Sequence, residues 1–600
     1  MQKESLAEST TTKQVGHARV AIGLLQGVVL YFLYFIFQTK TGLAANAYLF
    51  FPLLFLSLFV PFIANLGLGD LNWRQRVGWL VSVALISILC AVYSIWRARD
   101  TILMGHTTKT FILPFFPIFA TLSMVFFIAH TLICSAAVTR RWLAAYSDYF
   151  NTAWKFTIQL IFSAVFVGAL WLLLYLGAAL FMLIKLNFLN VLLEKAWFAI
   201  PISTLAFAIA LHITDVQPAV VQGIRSLLLT LMSWLLLVTS LIVVAFLVSL
   251  FWTGLTPLWQ TKQATFLLLI AVMMITLLVN ATLQDHQIPS IIPTALVLSA
   301  KMAILSITPI MVIATYALVL RVQQYGWTNE RVMAAACLLI AVCYGVGYAW
   351  AVLGREKWLS RIKSTNIFNS FVIIVILLGL SSPILDPARI AVKHQLYRLM
   401  SGQVSVDRFD FNFLRFNSER YGIEALQGLT ALMGNHPETV SIRSHAERAL
   451  KLKGIEQGSL SSHVTPRDLM ENIVWTRKNV NVSSFMLQNW NDRQTDLPAC
   501  LKEKAKRCYG YLINLNDKEQ AVLLVPDEPY ARSTVFVQSK QHVWAAVGTL
   551  PQLTKGCTSI LQKLVVGDYR LIPPIVNDVE VAGQRLQISP VPLGVHDLCN

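Results

Sequence analysis

Apolar runs long enough to cross a hydrocarbon core recur through the first 390 positions. A spanning helix needs about 20 such residues. The stretches that qualify are 18–38, 46–66, 77–97, 111–138, 156–184, 196–214, 226–252, 263–284, 290–320, 332–353 and 367–388. Tryptophans such as Trp79, Trp154, Trp252 and Trp358 mark their ends, as in an interfacial aromatic belt. Residues 1–17 are polar and expected to be disordered. The first apolar run is too long for a signal-peptide core and has no small-x-small cleavage site, so an uncleaved helix is expected. Pro114, Pro117, Pro201, Pro293 and Pro309 fall in or beside the runs and predict packing kinks, which membrane helices tolerate when neighbours satisfy the freed carbonyls.

After Asp386 the pattern changes. Residues 391–457 alternate at helical period and predict an amphipathic helical neck, with Asn417 and Ser418 as a cap and Gly434 and Gly454 as helix ends. A Ser-rich link leads to a module over 465–600. There, "TPRDLMENIVWTRK" predicts a helix, "YGYLINLNDKEQAVLLV" a hairpin turning near Asn516 and Asp517, and "STVFVQS" and "HVWAAVGTL" further strands. The expected fold is thus a polytopic α-helical membrane protein of about eleven transmembrane helices. Its parts are a tail (1–17), a membrane domain (18–390), a soluble helical neck (391–457) and a small α+β domain (465–600).

Composition agrees with a bilayer as solvent. The 600 residues are 56% hydrophobic and 13% charged, with mean hydropathy +0.61; soluble domains carry about 25% charged residues. The net charge is +17, and most of the excess falls before residue 392. Charge so placed sets orientation and meets anionic headgroups. The basic residues are scattered, without interleaved aromatics, which argues against nucleic acid. Lys and Arg in the short loops, above all "GREKWLSRIK" at 354–363, predict a cytoplasmic N-terminus. An odd number of spans then predicts a periplasmic C-terminal domain. A faint echo links 155–215 and 225–285, each a long helix followed by a shorter one, as two hairpins of any origin also would be.

Three stretches resemble one bacterial membrane family: "ARVAIGLLQGVVLYFLY" (18–34), "RRWLAAYSDYFNTAWKFTIQLIFSAVFVGALWLLLYLGAALF" (140–181) and "FDFNFLRFNSERYGIEAL" (409–426). The family is catalogued as domain of unknown function 4153, and the likeness runs from about residue 15 to about residue 450. It implies a bacterial inner-membrane protein with many spans. It brings no catalytic residue and no substrate.

The chain lacks G-x-x-x-x-G-K-[ST], H-E-x-x-H, C-x-x-C and G-x-S-x-G. That weighs against an ATP-driven pump, a zincin, a thioredoxin-like site and an α/β-hydrolase. Polyprenyl-dependent glycosyltransferases resemble one another in using acidic residues in a long first external loop, and "TKTGLAAN" has none. Ionisable residues at membrane depth are the default candidates. Lys301 is expected near mid-span, buried and paired. His212 and Asp215 are one turn apart and share a face; Asp285 ends its span beside His286. His130 and Cys134 share a turn but are too few for a metal site.

Cys90, Cys134, Cys337 and Cys343 lie in the spans as packing residues. Cys500, Cys508, Cys557 and Cys599 predict periplasmic disulfides. If "PACLKEKAKRC" is a continuous helix, Cys500 and Cys508 are about 12 Å apart along its axis. Each is then expected to pair with Cys557 or Cys599. No catalytic, cofactor or metal residue is predicted, and the expected partners are the bilayer and envelope proteins. The first expectation is a non-enzymatic scaffold or sensor presenting a periplasmic module. A secondary transporter or lipid translocase working through Lys301 is the alternative, and a membrane-embedded enzyme is the third.

Overall fold

A computed structural model describes residues 2–39, 46–104, 116–260, 264–284, 294–354, 358–434 and 436–451. Beyond these it describes residues 472–475, 500, 507–516, 519–527, 533–538, 544–550, 562–563, 566, 568, 579–581 and 584–586. The chain divides into two compact units, Met1–Lys453 and Gly454–Asn600.

Among the described residues of the first unit, eleven helices are long and apolar enough to cross a membrane, which points to a multi-pass membrane protein. They are α1 (Gln2–Thr39), α2 (Ala47–Leu66), α3 (Trp73–Met104), α4 (Phe116–Thr139), α5 (Tyr146–Leu183), α6 (Ala196–Val216), α7 (Pro218–Thr253), α8 (Ala264–Leu283), α9 (Thr294–Tyr325), α10 (Asn329–Leu353) and α11 (Trp358–Leu380). Several helices outrun the apolar stretches that announced them. α1 takes in the polar residues from Gln2, and α5 starts at Tyr146 instead of 156. Helical backbone bonds continue wherever propensity allows, whereas hydropathy registers only the apolar part. α11 starts nine residues before the expected 367 and stops at Leu380, because Ser381, Ser382 and Pro383 break it. Pro201 and Pro309 lie inside α6 and α9, and Pro52 and Pro61 inside α2. Pro117 is the second residue of α4, where its missing N–H leaves no intrahelical bond unmade. Pro114 and Pro293 lie outside the described residues.

The bundle has two cores. The first joins α2, α3 and α4 through Phe51, Phe55, Phe59, Leu122 and Phe126, with Phe156 and Leu211 closing it. Its rings meet edge to face: Phe59 lies 5.1 Å from Phe126 and 5.9 Å from Phe55. The second core joins α7 to α11 through Ile275, Ile304, Ile307 and Tyr348. α11 belongs to both, with Ile362 in the second and Leu377 and Leu378 against the first. At the seam a closed ring of hydrogen bonds spans four helices. Asn280 accepts from Asn366 (2.6 Å) and from the Tyr146 hydroxyl (3.2 Å). Asn280 also donates to Tyr348 (2.9 Å), which donates to Asn366 (2.6 Å).

α1 packs on α6 through two glycines one turn apart. A Cβ on Gly23 would sit 2.5 Å from the Ala208 methyl; one on Gly27 would sit 2.5 Å from Pro201 Cα and collide with Thr204 Oγ1. Where lipid is as apolar as leucine, such close backbone approach is the main source of helix affinity.

Beyond α11 come α12 (Pro387–Met400), α13 (Glu419–Thr430) and α14 (Pro437–Lys451), around a separate core of Leu414, Leu426 and Ala446. Asp386 caps α12, accepting from Ala388 N (2.8 Å) and Arg389 N (3.3 Å). Ser418 precedes α13 but does not cap it with its side chain: its hydroxyl donates to the Phe413 carbonyl (3.0 Å), and Asn417 ends the π-helical turn Phe413–Asn417.

The second unit holds a five-stranded sheet in sequence order: β1 (Ile473–Trp475), β2 (Cys508–Asn516), β3 (Glu519–Pro526), β4 (Ser533–Gln538) and β5 (Trp544–Leu550). β1 pairs with β2 in parallel and the rest are antiparallel. A separate hairpin joins β6 (Val579–Val581) and β7 (Gln584–Leu586). The hairpin expected at Asn516 is present as β2–β3. Ile473–Trp475, expected to be helical, is a strand, as suits a β-branched pair and a tryptophan. The cysteine expectation is corrected too: Cys500 and Cys508 form a disulfide, their Cα atoms 5.8 Å apart. That separation is within bridging range and excludes a continuous helix between them. Cys557 and Cys599 lie outside the described residues.

Two outcomes test this architecture. Gly27→Leu should lower stability by roughly 1–3 kcal/mol through overpacking, while Gly168→Ala, with no atom within 4 Å of the added carbon, leaves the melting temperature unchanged. Non-reducing peptide mapping should recover a Cys500–Cys508 peptide. Cys508→Ser should cost the module about 2–3 kcal/mol by the loop-closure estimate.

Candidate functional site

The bundle end at which α1 begins holds a chain of alternating charges. Arg19, on α1 and 2% exposed, donates from Nη2 to Asp215 Oδ2 at the end of α6 (2.8 Å) and from Nε to the Asn65 carbonyl of α2 (3.2 Å). Asp215 Oδ1 accepts from Gln159 on α5 (3.0 Å) and lies 3.3 Å from Lys155 Nζ. Lys155 donates in turn to both oxygens of Asp70, in the α2–α3 turn, at 3.1 Å. The order Arg19, Asp215, Lys155, Asp70 sets each cation against a carboxylate, so the cluster is neutral as a whole. Taking such charges from water is costly, and pairing with hydrogen bonds offsets that cost. Three buried polar atoms in these residues and beside them lack a partner among the described residues: Arg19 Nη1, Asn65 Oδ1 and His212 Nδ1. The His212 ring lies against Gly16, where a Cβ would come within 2.5 Å of Nε2.

Beside this cluster His130 is buried against Phe156. Trp79 Nε1 donates to His130 Nδ1 (3.1 Å), which puts the ring proton on Nε2, 3.5 Å from Cys134 Sγ. Among the described residues no group of three His, Cys, Asp or Glu side chains could hold a metal.

A second polar cluster fastens the neck to the far end of α3. Asp386 is fully buried. It accepts from the Tyr93 hydroxyl (2.6 Å) and Arg97 Nη1 (3.1 Å) while capping α12. Arg97 also pairs with Glu419 at the start of α13, and the Tyr93 and Tyr421 hydroxyls are 3.1 Å apart. Arg420 covers the Trp96 ring at 4.4 Å. Glu419 has φ +48°, a left-handed conformation that costs a non-glycine residue about 1–2 kcal/mol. Burial pushes its carboxyl above the ordinary range, against the pull of Arg97.

A family model matches residues 50–428, from α2 into α13. The chain belongs to that family, the domain of unknown function DUF4153. No curated protein and no solved structure matches it. The DUF4153 region takes in Asp70, Lys155 and Asp215 together with the whole Tyr93–Asp386–Glu419 latch. Arg19 and the stretch 18–34 lie outside it, so the likeness is shorter at both ends than 15–450.

Of the residues singled out from sequence, Asp215 and His212 reach the charge cluster. Lys301 does not behave as expected. It is the eighth residue of α9, about 10 Å from the helix start at 1.5 Å per residue. Its side chain is exposed and its ammonium lies 5.3 Å over the Trp358 ring. An apolar run fixes how far along a span a residue falls and not which face of the helix it takes. Asp285 lies outside the described residues. Arg19, Asp70, Lys155, Gln159, Arg97 and Asp386 were missed as site residues. For Arg19, Lys155 and Arg97 the available signal was a lone charge at the end of an apolar run, which also reads as a topology marker.

Asp215→Ala leaves Arg19 buried without its carboxylate and should cost about 3–5 kcal/mol. In thermal melts the double variant Arg19→Met, Asp215→Leu should lose clearly less than the sum of the two single changes.

Proposed function

We propose that the chain is a non-enzymatic membrane platform of the bacterial inner membrane: a helical bundle that holds its neck rigidly at one end and carries the C-terminal module into the periplasm to bind envelope partners. The observation behind it is the latch. Asp386 joins the last spanning helix to the neck, and the same carboxylate is gripped by Tyr93 and Arg97 of α3. The neck has its own core, so the latch couples two folded layers instead of closing a loop. The Cys500–Cys508 disulfide favours an oxidising compartment for the module. The Lys/Arg bias and the eleven candidate spans favour the same side.

Topology reporters fused at Gly354 should read cytoplasmic, and those fused at Lys453 periplasmic; a cytoplasmic signal at Lys453 sinks the placement. In a strain whose gene deletion gives an envelope phenotype, the whole chain should restore growth. A chain ending at Lys453 should not, and Asp386→Ala should do so only in part. Full restoration by the chain ending at Lys453 would show that the membrane unit acts alone.

A further inference from the structure

The seam between the two cores holds a partly open cavity of about 210 Å³. Tyr146, Tyr149, Asn280, Tyr344, Asn366 and Ser370 are among its walls, together with apolar rings and aliphatic groups from α4 and α5. Among the described residues no charged side chain lines it. Arg225, which approaches one wall, lies 5.2 Å over the Phe150 ring.

α11 contributes more polar groups than its span needs. Asn366, Asn369 and Ser370 fall at i, i+3 and i+4 and so share one face. Asn366 and Ser370 line the cavity. Asn369 is fully buried, and neither its Nδ2 nor its Oδ1 has a partner among the described residues. An unpaired buried amide costs about 1–3 kcal/mol; Asn369 is not among the lining residues, so it marks the polar face of α11 beside the cavity.

We propose that this cavity binds a small uncharged polyhydroxyl group, either a free polyol or the glycerol- or sugar-type headgroup of a lipid. Three features select that class. The walls carry phenol and hydroxyl groups outside the closed ring, at Tyr149, Tyr344 and Ser370, which both donate and accept as a polyol's hydroxyls require. Aromatic faces alternate with them and suit the C–H side of a polyol. Among the described lining residues an ion would meet no carboxylate, ammonium or guanidinium, and much of its hydration would go uncompensated. The volume corresponds to about seven waters at roughly 30 Å³ each, room for a group the size of glycerol or inositol. This site stands apart from the platform reading, which rests on the latch at the far end of α3.

The test uses the full chain in lipid nanodiscs with glycerol and myo-inositol as free probes, and phosphate and acetate as charged ones. Saturation-transfer NMR should show the polyols bound and the ions not. Ala153→Leu and Ser370→Leu place bulk in the cavity without removing a member of the hydrogen-bonded ring, and each should weaken polyol binding at least tenfold while the thermal melt holds. Native mass spectrometry covers the lipid source: a hydroxylated lipid retained by the parent and lost from both filled variants supports the proposal as well. A diazirine-bearing polyol should label peptides of α5 and α11 in the unsubstituted chain, a readout that survives if neither variant folds. The proposal is overturned by binding equal in parent and filled variants, by labelling confined to other helices, by preference for the ions, or by neither polyol nor lipid binding.

Discussion

The pairing of Arg19 with Asp215 is the contact on which the near end of the bundle depends. A guanidinium at 2% exposure has no acceptable state except paired. Its carboxylate stands at the end of α6, and that same carboxylate also holds Gln159 and Lys155 of α5. Lys155 reaches Asp70 between α2 and α3. One charge thereby fixes α1, α5, α6 and the α2–α3 turn relative to one another. The glycines on α1 complete the arrangement: Gly23 and Gly27 let the helix lie close to α6, and closeness aligns Arg19 with Asp215.

The opposite end works on the same rule with different groups. Asp386 satisfies two amides of the helix it starts and accepts from a phenol and a guanidinium of α3. Removing it would leave the start of α12 uncapped and the half-buried Arg97 with Glu419 as its remaining carboxylate. Between these ends the two cores touch through uncharged groups. The Asn280–Asn366–Tyr146–Tyr348 ring is satisfied within itself, and an internally satisfied network gives a fixed geometry without a net field.

Much of the architecture was legible because spanning helices need length and apolarity, and both are local properties. The eleven runs, the change after Asp386 and the β2–β3 hairpin all follow from such patterns. Pairing is non-local and was not legible. Arg19 and Asp215 are 196 positions apart, and Tyr93 and Asp386 are 293 apart; no periodicity connects them. Lys301 shows the reverse failure: its position in an apolar run does not tell which face of the helix it takes, and that face is exposed. Cys500 and Cys508 show a third. Helical spacing separates them, but the segment is not one continuous helix, and chain ends eight residues apart close easily.

α5 has a further consequence. From Phe156 to Leu183 it carries no charged residue, a length of about 42 Å at 1.5 Å per residue. A hydrocarbon core of about 30 Å would match it only at a tilt near 45°, beyond the usual range of up to about 40°. Gln159, however, is held in the charge cluster by Asp215, so the part left to apolar surroundings is Leu160–Leu183, about 36 Å. In a hydrocarbon core of about 30 Å that length fits at a tilt of about 34°, so the reach of one polar side chain decides how far this helix must lean.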